Sequence, residues 1–181
     1  MPWMPLGWVG ASGAVSGGPT FELISTTLVG SAVASVSFTL TSAQQAAYKH
    51  LQLRLTGQPV ANGATMWVQF NGDNASNYNH HYLYGNGSTV TSGNGATANG
   101  VLVGGVSGFG NTIFMDAVMD ILDVQSTSKN KTTRCLSGSS TEIDLASGLW
   151  RSTAAISSLT VYFTGTNVNT NSRFSLYGVR G

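Results

Sequence analysis

Charge is what this sequence has least of. Of its 181 residues only 8% are Asp, Glu, Lys or Arg, against a usual quarter, and the formal net charge is +1. The eight cations are dispersed, so no basic stripe follows a phosphate backbone and no nucleic-acid partner is expected. No apolar run approaches the roughly 20 residues of a membrane span, and the N-terminus lacks a charged start leading into an apolar core. Neither a membrane role nor export by a secretory signal is expected. The single cysteine, Cys135, excludes an intrachain disulfide and cannot alone make a structural zinc site; it reads as a packed strand residue. Glutamate occurs only at Glu22 and Glu142, at no spacing that nominates a glycosidase pair, although folding is able to bring distant carboxylates together.

What is abundant is period-two alternation. Val36, Phe38 and Leu40 alternate with Ser and Thr, and Leu51, Leu53 and Leu55 alternate with Gln, Arg and Thr. The same pattern recurs at Met66, Val68 and Phe70, at Leu159, Val161 and Phe163, and at Phe174 and Leu176. Asn, Gly, Ser and Thr clusters punctuate these runs, which gives eight or more strands. Ile113 to Val124 is more evenly apolar, and its β-branched residues favour a long strand over a helix that would carry Asp116, Asp120 and Asp123 on one face. Thr41 to Tyr48 is the short-helix candidate, capped by Thr41 or Ser42. Many short strands without heptads or a helix-strand rhythm predict an all-β, two-sheet antiparallel sandwich, jelly-roll-like, with an immunoglobulin-like sandwich as the alternative.

The predicted sandwich spans residues 21–181 and is preceded by an extended N-terminal arm and tether, residues 1–20. That arm carries Trp3, Leu6 and Trp8 within its first nine residues, with two of the four prolines. Burying these three side chains is worth about 10 kcal/mol at ~25 cal/mol/Å², and ordering roughly ten residues costs as much or more. A partner surface is therefore the economical use of the arm; folding back on its own domain is the other. Within the sandwich, the Gly-rich tract 85–111 reads as a long excursion with an apolar insert at Val101 to Val103, or as a strand between two flexible turns.

The densest functional chemistry lies between Phe70 and Ser88. Asn71, Asp73, Tyr78, His80, His81, Tyr82 and Tyr84 combine amides, imidazoles and stackable rings into a surface recognition rim suited to a glycan or a protein; the alternative is cross-strand packing. His80 and His81, being adjacent on a strand, point to opposite faces and do not share a metal. Asp73 is placed to pair with either histidine across a turn, but no nucleophile elbow accompanies them. No catalytic residue, metal or cofactor is assigned.

Phe21-Glu-Leu-Ile-Ser25, Tyr48-Lys-His-Leu-Gln-Leu-Arg54, Phe70-Asn-Gly-Asp73, Asn77-Tyr78, Tyr82-Leu-Tyr-Gly-Asn-Gly87, Ile121-Leu-Asp123, Ser147-Gly-Leu-Trp150 and Arg173-Phe-Ser-Leu-Tyr-Gly-Val179 together resemble a family of tailed-bacteriophage virion structural proteins. The likeness runs from Phe21 to the C-terminus and rests on structural rather than catalytic motifs. It implies a jelly-roll protein made in the host cytoplasm and exposed on the virion surface, either a capsid decoration (cement) protein or a tail-fibre or baseplate component. The chain has no long repetitive shaft, which favours the capsid. The expectation is a non-enzymatic cement protein that binds the major capsid protein through Trp3, Leu6 and Trp8 as a homo-oligomer, a trimer. The alternative is a tail module that recognises a host surface glycan.

Overall fold

The structure, a computed structural model, describes residues 20–181. The arm with Trp3, Leu6 and Trp8 lies outside the described residues. Among the described residues the strands are β1 (Phe21–Leu28), β2 (Ser35–Thr39), β3 (His50–Gly57), β4 (Ala64–Phe70), β5 (Tyr78–Gly85), β6 (Val90–Ala98), β7 (Val101–Phe109), β8 (Met115–Leu122), β9 (Lys131–Gly138), β10 (Ile143–Trp150), β11 (Ser158–Phe163) and β12 (Arg173–Val179). One short helix, α1 (Ser42–Ala47), joins β2 to β3. It is capped as expected: the Gln44 N–H donates to the Thr41 hydroxyl at 3.2 Å while the Thr41 N–H donates to Gln44 Oε1 at 2.9 Å.

The strands form two antiparallel sheets, one in the order β1-β12-β3-β8-β9-β10-β5-β6 and one in the order β2-β11-β4-β7. With the β5–β6 and β9–β10 hairpins set aside, what remains is a jelly roll, β1-β12-β3-β8 facing β2-β11-β4-β7. The hairpins are insertions after β4 and after β8. They meet along β10 and β5, and by doing so extend one sheet from four strands to eight. The sequence-level alternation holds in the jelly roll itself: Leu51, Leu53, Leu55, Met66, Val68, Phe70, Leu159, Val161, Phe163, Phe174 and Leu176 are all buried between the sheets.

Two ambiguous segments resolve. Met115–Leu122 is a strand, with Asp116 and Asp120 on its outer side. The tract 85–111 is not one excursion: it contains β6 at the free edge of the large sheet and β7, a jelly-roll strand whose Val101, Leu102 and Val103 are buried. Its glycines serve close approach. A Cβ on Gly104 would crowd Ser137 and lie 3.1 Å from Asp144 Oδ2, and Gly105 has φ +84° at a bulge in the β4–β7 pairing. Cys135 is the packed strand residue expected, and burial pushes its thiol pKa up.

Candidate interaction surface

The β9–β10 hairpin is partly inside out. Its inward positions are Lys131, Thr133, Cys135 and Ser137 on β9 and Asp144, Ala146, Gly148 and Trp150 on β10, all buried, while Leu136, Ile143 and Leu145 face solvent. Half-buried strands ordinarily put the apolar set inside. Here β7 runs so close beneath that small residues are required: a Cβ on Gly148 would lie 2.7 Å from Val101. The bulged backbone of β7 also needs acceptors, which polar inward side chains supply.

Register then gathers the outward apolar residues into one row across four strands. Val118 is opposite Leu136, Leu136 opposite Leu145, and Leu145 opposite Leu83. They are 42%, 53%, 54% and 51% exposed, and Ile143 beside them is 58% exposed. Together they present on the order of 400 Å² of apolar surface, the size of the largest patch on a typical single chain, which is often functional. Shallow depressions flank the row, one of about 750 Å³ bounded by Phe114, Asp116 and Arg173, the other of about 600 Å³ bounded by His81, Asn94 and Arg134. Three of the row's four residues lie on the inserted hairpins, so the additions to the jelly roll build this face.

Much of the expected rim is consumed by the fold. Asn71 (φ +53°) and Gly72 (φ +68°) form a tight turn, and the Asn71 side chain donates to Ala155 O at 2.8 Å while accepting from the Ser157 and Ser158 N–H groups at 2.8 and 3.1 Å. Asp73 pairs with neither histidine. Its Oδ2 accepts from the Trp150 indole N–H at 2.7 Å and from Asn77 Nδ2 at 3.0 Å, its Oδ1 from the Ala75 N–H, and the indole bond above all holds its carboxyl pKa below the usual range. Tyr78 and His80 are not on the surface: they are 0% and 8% exposed, because even-numbered positions of β5 face inward. The Tyr78 hydroxyl donates to Asp73 O and its ring stacks on Trp150 at 6.2 Å. Burial, and then the neighbouring His81, lower the pKa of His80. The two histidines do point to opposite faces. His81 remains exposed on the outer face, and Tyr82 and Tyr84 are half-buried on the inner one. The rings of His80 and Tyr82 lie over Gly95 and Gly93 of β6 and stack at 6.3 Å, and Trp67 meets His80 edge-on at 5.0 Å.

Each of the seven carboxylates is engaged by the chain itself. Glu22 pairs with Arg180 at 3.2 Å, Asp123 with Lys129 at 3.0 Å, Asp116 accepts from Thr56 and Asp120 from Gln52. Glu142 accepts from Ser107 and Asp144 from the Gly105 N–H at 2.8 Å, so this buried pair serves the β7 bulge. Glu22, on edge strand β1, is remote from Glu142. Among the described residues no group of three His, Cys, Asp or Glu is placed to hold a metal, and no helix is long and apolar enough to cross a membrane.

Burial, joined by repulsion from Glu142, raises the Asp144 carboxyl pKa. The folded chain therefore binds that proton more tightly than the unfolded chain does. The stabilisation this gives is complete below the unfolded value near 4 and is lost as pH rises through the folded one. Asp144→Asn keeps an acceptor for Gly105 and removes the charge. It is expected to flatten this part of the stability profile, so that the fall in stability with rising pH shrinks relative to wild type, read from urea midpoints at a series of pH values.

No family model and no curated protein matches the chain. Among solved structures, alginate lyase Aly36B aligns with a TM-score of 0.35 and 7% identity over 86% of this chain and 80% of that one, a likeness too loose to bear on fold or activity.

Proposed function

We propose that this chain is a non-enzymatic structural protein of a bacteriophage virion, and within that class a capsid decoration protein exposed on the particle surface. The observation that carries the reading is the inverted β9–β10 hairpin, which places aliphatic residues outward in a continuous row and leaves polar groups to the interior. The inward polar groups serve the β7 bulge, but nothing within the chain requires the outward positions to be aliphatic, and a row of them suits a protein that works by contact. The engagement of all seven carboxylates within the chain also supports a structural role, as does the resemblance of segments such as Phe70-Asn-Gly-Asp73 and Arg173-Phe-Ser-Leu-Tyr-Gly-Val179 to virion proteins. In this reading the leader with Trp3, Leu6 and Trp8 anchors to the major capsid protein. Many modest contacts, repeated over linked copies, then supply retention that no single contact does.

A second reading is a tail module that recognises a host surface glycan. The outward-facing His81, Asn94, Arg134 and Ser147, which border one shallow depression, favour it, since they offer amide, imidazole, guanidinium and hydroxyl groups to a sugar. Copy number in purified particles separates the two: hundreds per particle for decoration, a few to tens for a tail. Removing residues 1–9 is expected to leave the unfolding transition unchanged and to abolish incorporation into particles. Incorporation equal to wild type would overturn the anchoring role.

A further inference from the structure

The aliphatic row is the seat of a second copy. We infer that two chains pair face to face through the outer side of the large sheet, about a two-fold axis parallel to the strands and lying between β9 and β10. The inference goes beyond the proposed function, because it holds whether or not the chain belongs to a virion, and it puts a pair of chains where the sequence resemblance leads to an expectation of three. It rests on three features of the face.

The first is composition. The row is Val118, Leu136, Leu145 and Leu83, without an aromatic ring, which suits a protein surface better than a sugar. The second is self-complementarity. Rotation about that axis sets Leu136 over the partner's Leu145 and Val118 over the partner's Leu83, so all four members of the row meet apolar partners. In the adjacent row, whose order is Gln52, Asp120, Arg134, Ser147, His81 and Asn94, the same rotation sets Asp120 over the partner's His81 and Arg134 over the partner's Ser147. No charge is set over its like, and Arg134, which has no ion pair among the described residues, gains a hydroxyl partner. The third is size. Six strands from β3 to β6 at about 4.8 Å spacing, each about eight residues long, give a face of roughly 700 Å², close to the ~800 Å² per partner of a standard interface. Two twisted sheets are able to pack in this aligned manner, as the sheets of a sandwich do.

The test is the mass of the full chain in solution by sedimentation equilibrium, followed by substitutions. The wild type is expected at twice the chain mass of 18.8 kDa. Leu136→Asp is expected to weaken pairing at least about thirty-fold, as loss of a central interface residue does. Leu28→Asp, at an equally exposed leucine on β1 outside the face, is expected to leave it unchanged. Should Leu136→Asp not fold, Leu83→Gln removes an apolar member of the row with a smaller change. Asp120 and His81 are three strand spacings apart within one chain, about 14 Å, so coupling between them reports on the pair. Asp120→Lys and His81→Asp are each expected to weaken pairing and the double variant to restore it. A wild type at single-chain mass, whether its face is left bare or covered by its own residues 1–19, overturns the inference. So does a three-chain mass, pairing indifferent to the row variants, or a double variant no better than the singles. None of these results depends on copy number in particles, so the two proposals stand or fall separately.

Discussion

Lys131→Met is expected to destabilise the fold by about 3–5 kcal/mol. The lysine is fully buried, yet its Nζ meets no carboxylate at bonding distance. It donates instead to three carbonyls, Ser126 O at 2.6 Å, Lys129 O at 3.0 Å and Thr153 O at 3.3 Å. Its three protons thus have three acceptors, which is the condition under which an ammonium tolerates burial. Burial lowers its pKa, the direction expected of a cation taken out of water. Methionine fills the same volume and satisfies none of the carbonyls, so each bears the cost of an acceptor dried without a partner. Those carbonyls belong to the loop before β9 and the loop after β10, and the loss therefore loosens the base of the inverted hairpin. Chemical denaturation checks the stability change. A loss under about 1 kcal/mol would mean that water or a backbone shift replaces the ammonium.

Gly105→Ala is expected to lose a comparable amount, about 3–5 kcal/mol, from backbone strain and overpacking together. With φ at +84° the residue occupies a region that L side chains rarely adopt, and a Cβ there would come within 2.6 Å of the Phe109 ring and 2.9 Å of the Ala64 carbonyl. The Gly105 N–H also holds Asp144, so any shift that relieves the clash unseats that bond. Gly63 separates the two contributions. Its φ is +78° but a Cβ added there would meet no atom within 4 Å, and Gly63→Ala should cost only the ~1 kcal/mol of strain. Equal losses at the two glycines, measured by the same denaturation curves, would show that packing at β7 is not what Gly105 protects.

The jelly roll is legible in the sequence because its strands obey the ordinary rule, apolar in and polar out, in β2, β3, β4, β11 and β12. The helix is legible because Thr41 and Gln44 satisfy one another at its start. The interaction face is not. Leu83, Val118, Leu136 and Leu145 are scattered along 63 positions of the chain, and only register brings them side by side. A signal does exist in Ile143-Asp-Leu-Ala-Ser-Gly-Leu-Trp150, an alternation in which the partners of the leucines are Ala, Gly and Asp. Period alone does not say which set faces inward; the closeness of β7 decides it. The rim departs from expectation for a related reason. Asn71 and Asp73 carry the same amide and carboxylate whether they meet a partner or their own backbone, and here they meet Ser157, Ser158, Ala155 and Trp150. Gly93 and Gly95 read as turn signals, and they are strand positions on which two rings rest.

The two inserted hairpins are not equals. β9 joins the jelly roll directly along β8, whereas β5 reaches the sheet only by pairing with β10. A chain with β9–β10 docked still offers a continuous ladder, but β5–β6 has no ladder to join until that hairpin is in place. At this end of the sheet every ladder bond of the second hairpin therefore passes through β10, and Tyr78 and His80, sunk into the core, are what else fastens it.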